Sequence, residues 1–161
     1  MPQYYHWQRQ ATTNGTPNTC SSHLRLITIA NQQNCGVAQL MANVRNSTTA
    51  GSGTLMVGRL TGGAGAGGQS QTPKPMNTGF AAAQTTAFDD AAAFTGSGTG
   101  VVYYQSVGFA QTGGQGGWVP IERDNCITLA PNGGANGNLT LDSFTATASQ
   151  ALQVGIQFLE G

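Results

Sequence analysis

Gln150-Ala-Leu-Gln-Val-Gly-Ile-Gln-Phe-Leu-Glu160 is the stretch that decides the fold. Leu152, Val154, Ile156 and Phe158 alternate with Gln153, Gly155 and Gln157, the period of a strand with one buried face. Just upstream, Ile127 with Leu129, and Leu139 with Leu141, repeat the alternation in shorter runs. The bridge between them, Asn132-Gly-Gly-Ala-Asn-Gly137, reads as a turn or hairpin loop. The chain is therefore predicted to end in three strands, the last of them central in its sheet.

Further upstream the same period recurs. Over residues 101–109, Val101, Tyr103, Gln105, Val107 and Phe109 alternate with Val102, Tyr104, Ser106 and Gly108. Residues 55–60 and 37–45 are also strand candidates, the latter with Ala38, Leu40, Ala42 and Val44 on one face. Residues 24–30 are apolar on both faces with a phase slip at Ile27, which predicts a buried or bulged strand. Residues 61–75 and 112–117 are rich in glycine and read as long loops, the first leaving through Thr72-Pro-Lys-Pro75. Residues 80–94 read as an irregular excursion, because Thr85, Thr86 and the Asp89-Asp90 pair spoil a helical pattern. Roughly seven short strands with turns between them and no persuasive helix define an all-β chain, a sandwich or barrel.

At 161 residues, one domain is long enough to bury about 70% of the surface its unfolded chain exposes. Only 7% of the residues are charged, and the formal net charge is zero. Nucleic acid is excluded as a partner on this reading, because Lys74 and the five arginines are scattered rather than clustered. No apolar run approaches the roughly 18 to 20 residues a membrane helix needs, and the amino terminus does not read as a secretory signal. A surface of Gly, Ala, Thr, Ser, Asn and Gln is easily desolvated, as interface cores are, and points to a protein that assembles.

Candidate chemistry is sparse. Gly63-Ala-Gly-Ala-Gly-Gly68 matches a dinucleotide-binding spacing, but Gln69-Ser-Gln-Thr-Pro73 follows where a helix is required, so no cofactor is expected. Cys20, His23, Cys35 and Cys126 lack the paired spacing of a structural zinc site, so buried reduced thiols and no metal are expected. Glu122 and Asp124 beside Trp118 are the one tempting carboxylate pair, and nothing else marks a cleft. His6 and His23 have no local serine or cysteine context, so no catalytic residue is assigned.

Residues 1–23 show neither helical nor strand period and read as an irregular arm, leaving 24–161 as the sandwich domain. Large aromatics on such an arm must fold back or dock on a partner, which makes Tyr4, Tyr5 and Trp7 candidate anchors. On that reading, removing the first nine residues weakens attachment and leaves the fold intact. Trp118 is the candidate ligand or interface residue, since an exposed ring could also stack on sugar.

The layout also carries a resemblance. A Gly-rich loop precedes a Thr-Pro segment (residues 62–75), and an Ala/Thr-rich excursion follows. Then come a Gly-Trp near an Arg-Asp (118–124), the run Ile127-Thr-Leu-Ala-Pro-Asn-Gly-Gly134, and a last strand ending in Phe158 and Glu160. Over residues 35–160 this resembles the jelly-roll-like decoration or minor capsid proteins of tailed bacteriophages; the arm is outside the likeness. The resemblance implies a jelly-roll-like β-sandwich and a non-enzymatic homo-oligomer, often a trimer. Its partner would be a major capsid protein, and its location the virion, assembled in the host cytoplasm. A carbohydrate-binding sandwich for host recognition and a self-assembling shell or filament subunit are the alternatives.

Overall fold

The carboxy-terminal alternation forms β12 (Ala151–Glu160), which lies between β1 (Gln3–Thr12) and β3 (Cys35–Val44) in a six-stranded antiparallel sheet. The computed structural model describes residues 3–12, 20–27, 35–45, 52–63, 67–94, 99–110, 115–118, 127–129, 138–145 and 150–161. The other strands are β2 (Cys20–Ile27), β4 (Ser52–Gly63), β5 (Gly67–Gln71), β6 (Lys74–Pro75), β7 (Thr86–Phe94), β8 (Thr99–Ala110), β9 (Gln115–Trp118), β10 (Ile127–Leu129) and β11 (Leu139–Thr145). Among the described residues there is no helix.

The first sheet runs β10-β3-β12-β1-β6, with β9 also paired to β3; the second runs β5-β7-β2-β11-β4-β8. Successive strands β1 to β4 alternate between the sheets, and β11 and β12 return to pair between them. Setting aside β5, β6 and β7, the sheets reduce to β1-β12-β3-β9/β10 and β2-β11-β4-β8. That order is a jelly roll, a double-sheet arrangement of antiparallel strands. The fold is therefore the jelly-roll-like β-sandwich expected, with the last strand central.

Side-chain alternation explains which face each strand buries. In β12, Leu152, Val154, Ile156 and Phe158 point into the sandwich, and their register partners on β1 are Ala11, Arg9, Trp7 and Tyr5. Leu24, Leu26, Leu55, Val57, Leu139 and Leu141 of the second sheet complete the core from the other side. In β3 the register shifts between Gln157 and Phe158, so Ala38 is the extra residue. Val37 then takes the core place that simple alternation assigns to Ala38.

Four expectations are corrected. The irregular arm is wrong for residues 3–12, which are a full strand with ten register pairs to β12, and for 20–23, which begin β2. Aromatics separated by one residue, Tyr5 and Trp7, were the signal: their two-residue spacing matches that of Phe158 and Ile156 opposite. The glycine-rich stretches 67–71 and 115–118 are not loops but strands, because backbone pairing needs no side chain. Residues 86–94 are likewise strand, adding β7 outside β2. Finally, β10 and β11 belong to different sheets, so the chain between them does not close a hairpin.

The carboxylate of Glu160 fixes residues 76–85, the longest irregular stretch among the described residues. Its Oε1 and Oε2 accept the Gln84 amide at 3.1 and 3.0 Å, and Oε1 accepts the Thr85 amide at 2.7 Å. Glu160 is buried, so these charge-assisted bonds are what make its ionised form tolerable. Glu160→Gln replaces one acceptor by a donor facing donors, and we expect a loss of about 2 to 3 kcal/mol in chemical denaturation.

Candidate functional site

The proposed arm anchors do not form an exposed site. Tyr5 is 2% exposed and Trp7 6%, both inside the sandwich. Tyr5 stacks on Phe158 with ring centroids 5.7 Å apart, and its one hydroxyl proton is shared between Gln3 Oε1 at 2.7 Å and the Ala81 carbonyl at 3.2 Å. Only Tyr4 is exposed, and its carbonyl accepts the Met76 amide at 2.9 Å. Docking through Tyr5 and Trp7 is therefore corrected to core packing. Trp118 ends β9, with its backbone opposite Leu40; its side chain lies outside the described residues, as do Glu122, Asp124 and Cys126.

The structure does bring together residues that sequence reasoning left apart. His23 on β2 bonds Asp90 Oδ2 through Nδ1 at 3.0 Å and Ser143 Oγ through Nε2 at 2.7 Å. These partners are 67 and 120 positions away, so no local motif could have disclosed them. Arg9, on the inner face of β1, reaches across to Asp89 at 3.1 Å and Asp90 at 2.7 Å. The order carboxylate, imidazole, hydroxyl is that of a serine hydrolase triad. Its accessibility is not: His23 and Ser143 are both fully buried. A cleft of about 370 Å³ at this end is lined by Arg9, Thr12, Arg45, Asp90 and Leu152, and so reaches the acid end of the chain rather than the hydroxyl. The arrangement ties β1, β2, β7 and β11 together across the two sheets.

A second polar cluster occupies the outer face of the second sheet. Asp142 Oδ1 accepts Ser22 Oγ at 2.6 Å and Thr140 Oγ1 at 2.5 Å, and Oδ2 accepts the Tyr103 hydroxyl at 2.7 Å. Tyr103 lies across Gly58, where a Cβ would meet its ring at 2.8 Å. Burial first, then its hydrogen bond to Asp142, holds the Tyr103 phenol well above its usual range. Desolvation of its sulfur first, and the Asp142 charge second, push the Cys20 thiol up to about 12.

Cys35 is on the other sheet, fully buried, and desolvation pushes its thiol up to about 12 as well. Cys20 and His23 thus face opposite sides of one sheet while Cys35 lies in the other, and among the described residues no three potential ligands gather around a metal position. An acid whose folded pKa is raised binds its proton more tightly in the folded chain. Its contribution is complete below the unfolded value near 9, then falls by about 1.4 kcal/mol per pH unit as the pH rises toward the folded value. We expect the urea midpoint to drop above about pH 9 and the drop to be shallower in Cys35→Ala. Parallel profiles for the two proteins would contradict it.

At the far edge of the second sheet stands β8. Val102 and Tyr104 are each 49% exposed there, and among the described residues no strand pairs beyond it. The Arg59 guanidinium sits 5.5 Å from the Tyr104 ring centroid and donates to the Thr128 carbonyl of β10.

No protein-family description and no curated protein matches the sequence. Among solved structures, T=1 particles derived from infectious bursal virus align over 99% of this chain and 40% of that chain, at 12% identity and a TM-score of 0.23. The chain thus spans less than half of that neighbour, and a likeness this low carries no argument.

Proposed function

We propose that the chain is a non-enzymatic virion structural protein that binds and stabilises a phage capsid surface as a decoration protein. The observation that carries this reading is a jelly-roll sandwich whose chain is only 7% charged. Such a surface is cheap to desolvate over broad areas, and binding then stabilises a shell by mass action rather than by chemistry. Fold alone does not fix function. The inaccessible Ser143 argues against acyl transfer, and among the described residues the cleft beside Asp90 is lined by no serine or cysteine. The partners on this reading are a major capsid protein and further copies of the same chain.

The test is location and copy number. Quantitative mass spectrometry of gradient-purified particles from an infected culture should find the chain in amounts comparable to the major capsid protein. Its presence in the lysate but not in particles would contradict the proposal.

A further inference from the structure

Sheet edges are where a β protein decides whether it pairs with another chain. Among the described residues, three of the four sheet edges are blunted. In the first sheet, β6 is two residues long and consists of Lys74 and Pro75, a charge and a missing donor. The opposite edge of that sheet carries only β9 and β10, of four and three residues. In the second sheet, β5 has five residues, opens on Gly67 and Gly68 at φ 82° and 85°, and shifts register against β7 between Gly67 and Gln69. Each of these devices turns a would-be partner away.

The fourth edge, β8, is neither short nor charged; it shifts register against β4 between Val57 and Gly58 and between Leu60 and Gly63, but residues 105–110 pair with 52–57 without a break. It is twelve residues long, Thr99-Gly-Val-Val-Tyr-Tyr-Gln-Ser-Val-Gly-Phe-Ala110, with no charged residue and no proline. It also presents two of the four large exposed apolar side chains among the described residues, Val102 and Tyr104. We propose that this edge is an interface and that its occupant is a second copy of the same chain, paired antiparallel about a twofold axis. The choice of a second copy rests on charge. An uncharged strand meets itself without repulsion, and the nearby cation, Arg59, is held by the Tyr104 ring and the Thr128 carbonyl. An isologous contact also places the same apolar side chains on both partners, so both exposed patches are covered at once.

This inference deepens the reading of the chain as an assembly subunit by naming the surface, and it rests on that reading only for its purpose. An isologous edge cannot build a threefold ring, so it joins two chains whatever larger symmetry they enter.

The experiment is sedimentation velocity on the full chain over a wide range of concentration and salt, with amide exchange measured on β8. The expected result is a dimer or an even multiple of it, insensitive to salt, with exchange in β8 slowing as concentration rises. Tyr104→Lys sets like charges face to face and is expected to weaken dimerisation about tenfold or more. Val102→Lys is the second variant; both sites are exposed, and an unchanged thermal midpoint confirms the fold. A monomer or a trimer overturns the proposal, as does a dimer that neither variant weakens. Particle composition is independent of these outcomes, so the virion reading and the edge contact fail separately.

Discussion

A chain lacking its first nine residues is expected not to fold. The deletion removes seven of the ten residues of β1, including Tyr5, Trp7 and Arg9. The first sheet then loses the strand that joins β12 to β6, and the amide groups of β12 that face β1 lose their partners. The core loses two of its large aromatics, and the second sheet loses the cation that reaches Asp89 and Asp90. Trp7→Ala grades the effect. At 6% exposure its truncation should cost about 3 to 5 kcal/mol, from lost transfer energy and an unfilled cavity. A truncated chain with a cooperative melt at the parent's midpoint would return residues 3–12 to the status of an arm.

Ile156→Ala should be nearly as damaging. Ile156 is 1% exposed and sits in the middle of β12, opposite Trp7 on one side and Leu40 on the other. β1 is held by an unbroken ladder and β3 by one that shifts register only beyond Gln157, so neither can slide inward to fill the space. The cost should therefore lie in the upper part of the usual range, about 3 to 5 kcal/mol. Chemical denaturation monitored by tryptophan fluorescence is the check. An unchanged midpoint would show that this position is not in a core.

Much of the fold is legible in the sequence, and the reasons differ by element. In β12 and β8 one face is more deeply buried than the other, and in β11, buried on both, apolar Leu139 and Leu141 alternate with polar Thr140 and Asp142, so alternation survives in the residues themselves. The segments read as loops fail because their strands are built on Gly, Ala, Gln and Ser, whose pairing is a backbone property with no side-chain period. The arm fails for another reason: Tyr5 and Trp7 have the right spacing, but Arg9 occupies the next inward position and breaks the apolar run. Only the structure shows why a cation is tolerated there, since Asp89 and Asp90 meet it from the opposite sheet.

The polar clusters were less legible still. Asp90, His23 and Ser143 come from three strands that are neighbours in space and distant in sequence. Ser143 keeps the parity of Leu139 and Leu141, but His23 is the residue left over in β2 where the register shifts between Leu141 and Asp142 of β11. A bulge is not written in residue type, so neither the cluster nor its burial could be read from His23 alone. The exposed Val102 and Tyr104 are visible in the sequence, but their place on an unpaired edge follows only from the strand order.

The account turns on residues 3–12 being a strand laddered to β12 along its whole length, and amide hydrogen exchange tests that most directly. The amides of 3–12 that face β12 should exchange as slowly as the amides of 151–160 that face β1, because the two strands share one ladder and open together. Exchange of 3–12 at the rate of an unprotected chain, with 151–160 still protected, would contradict it.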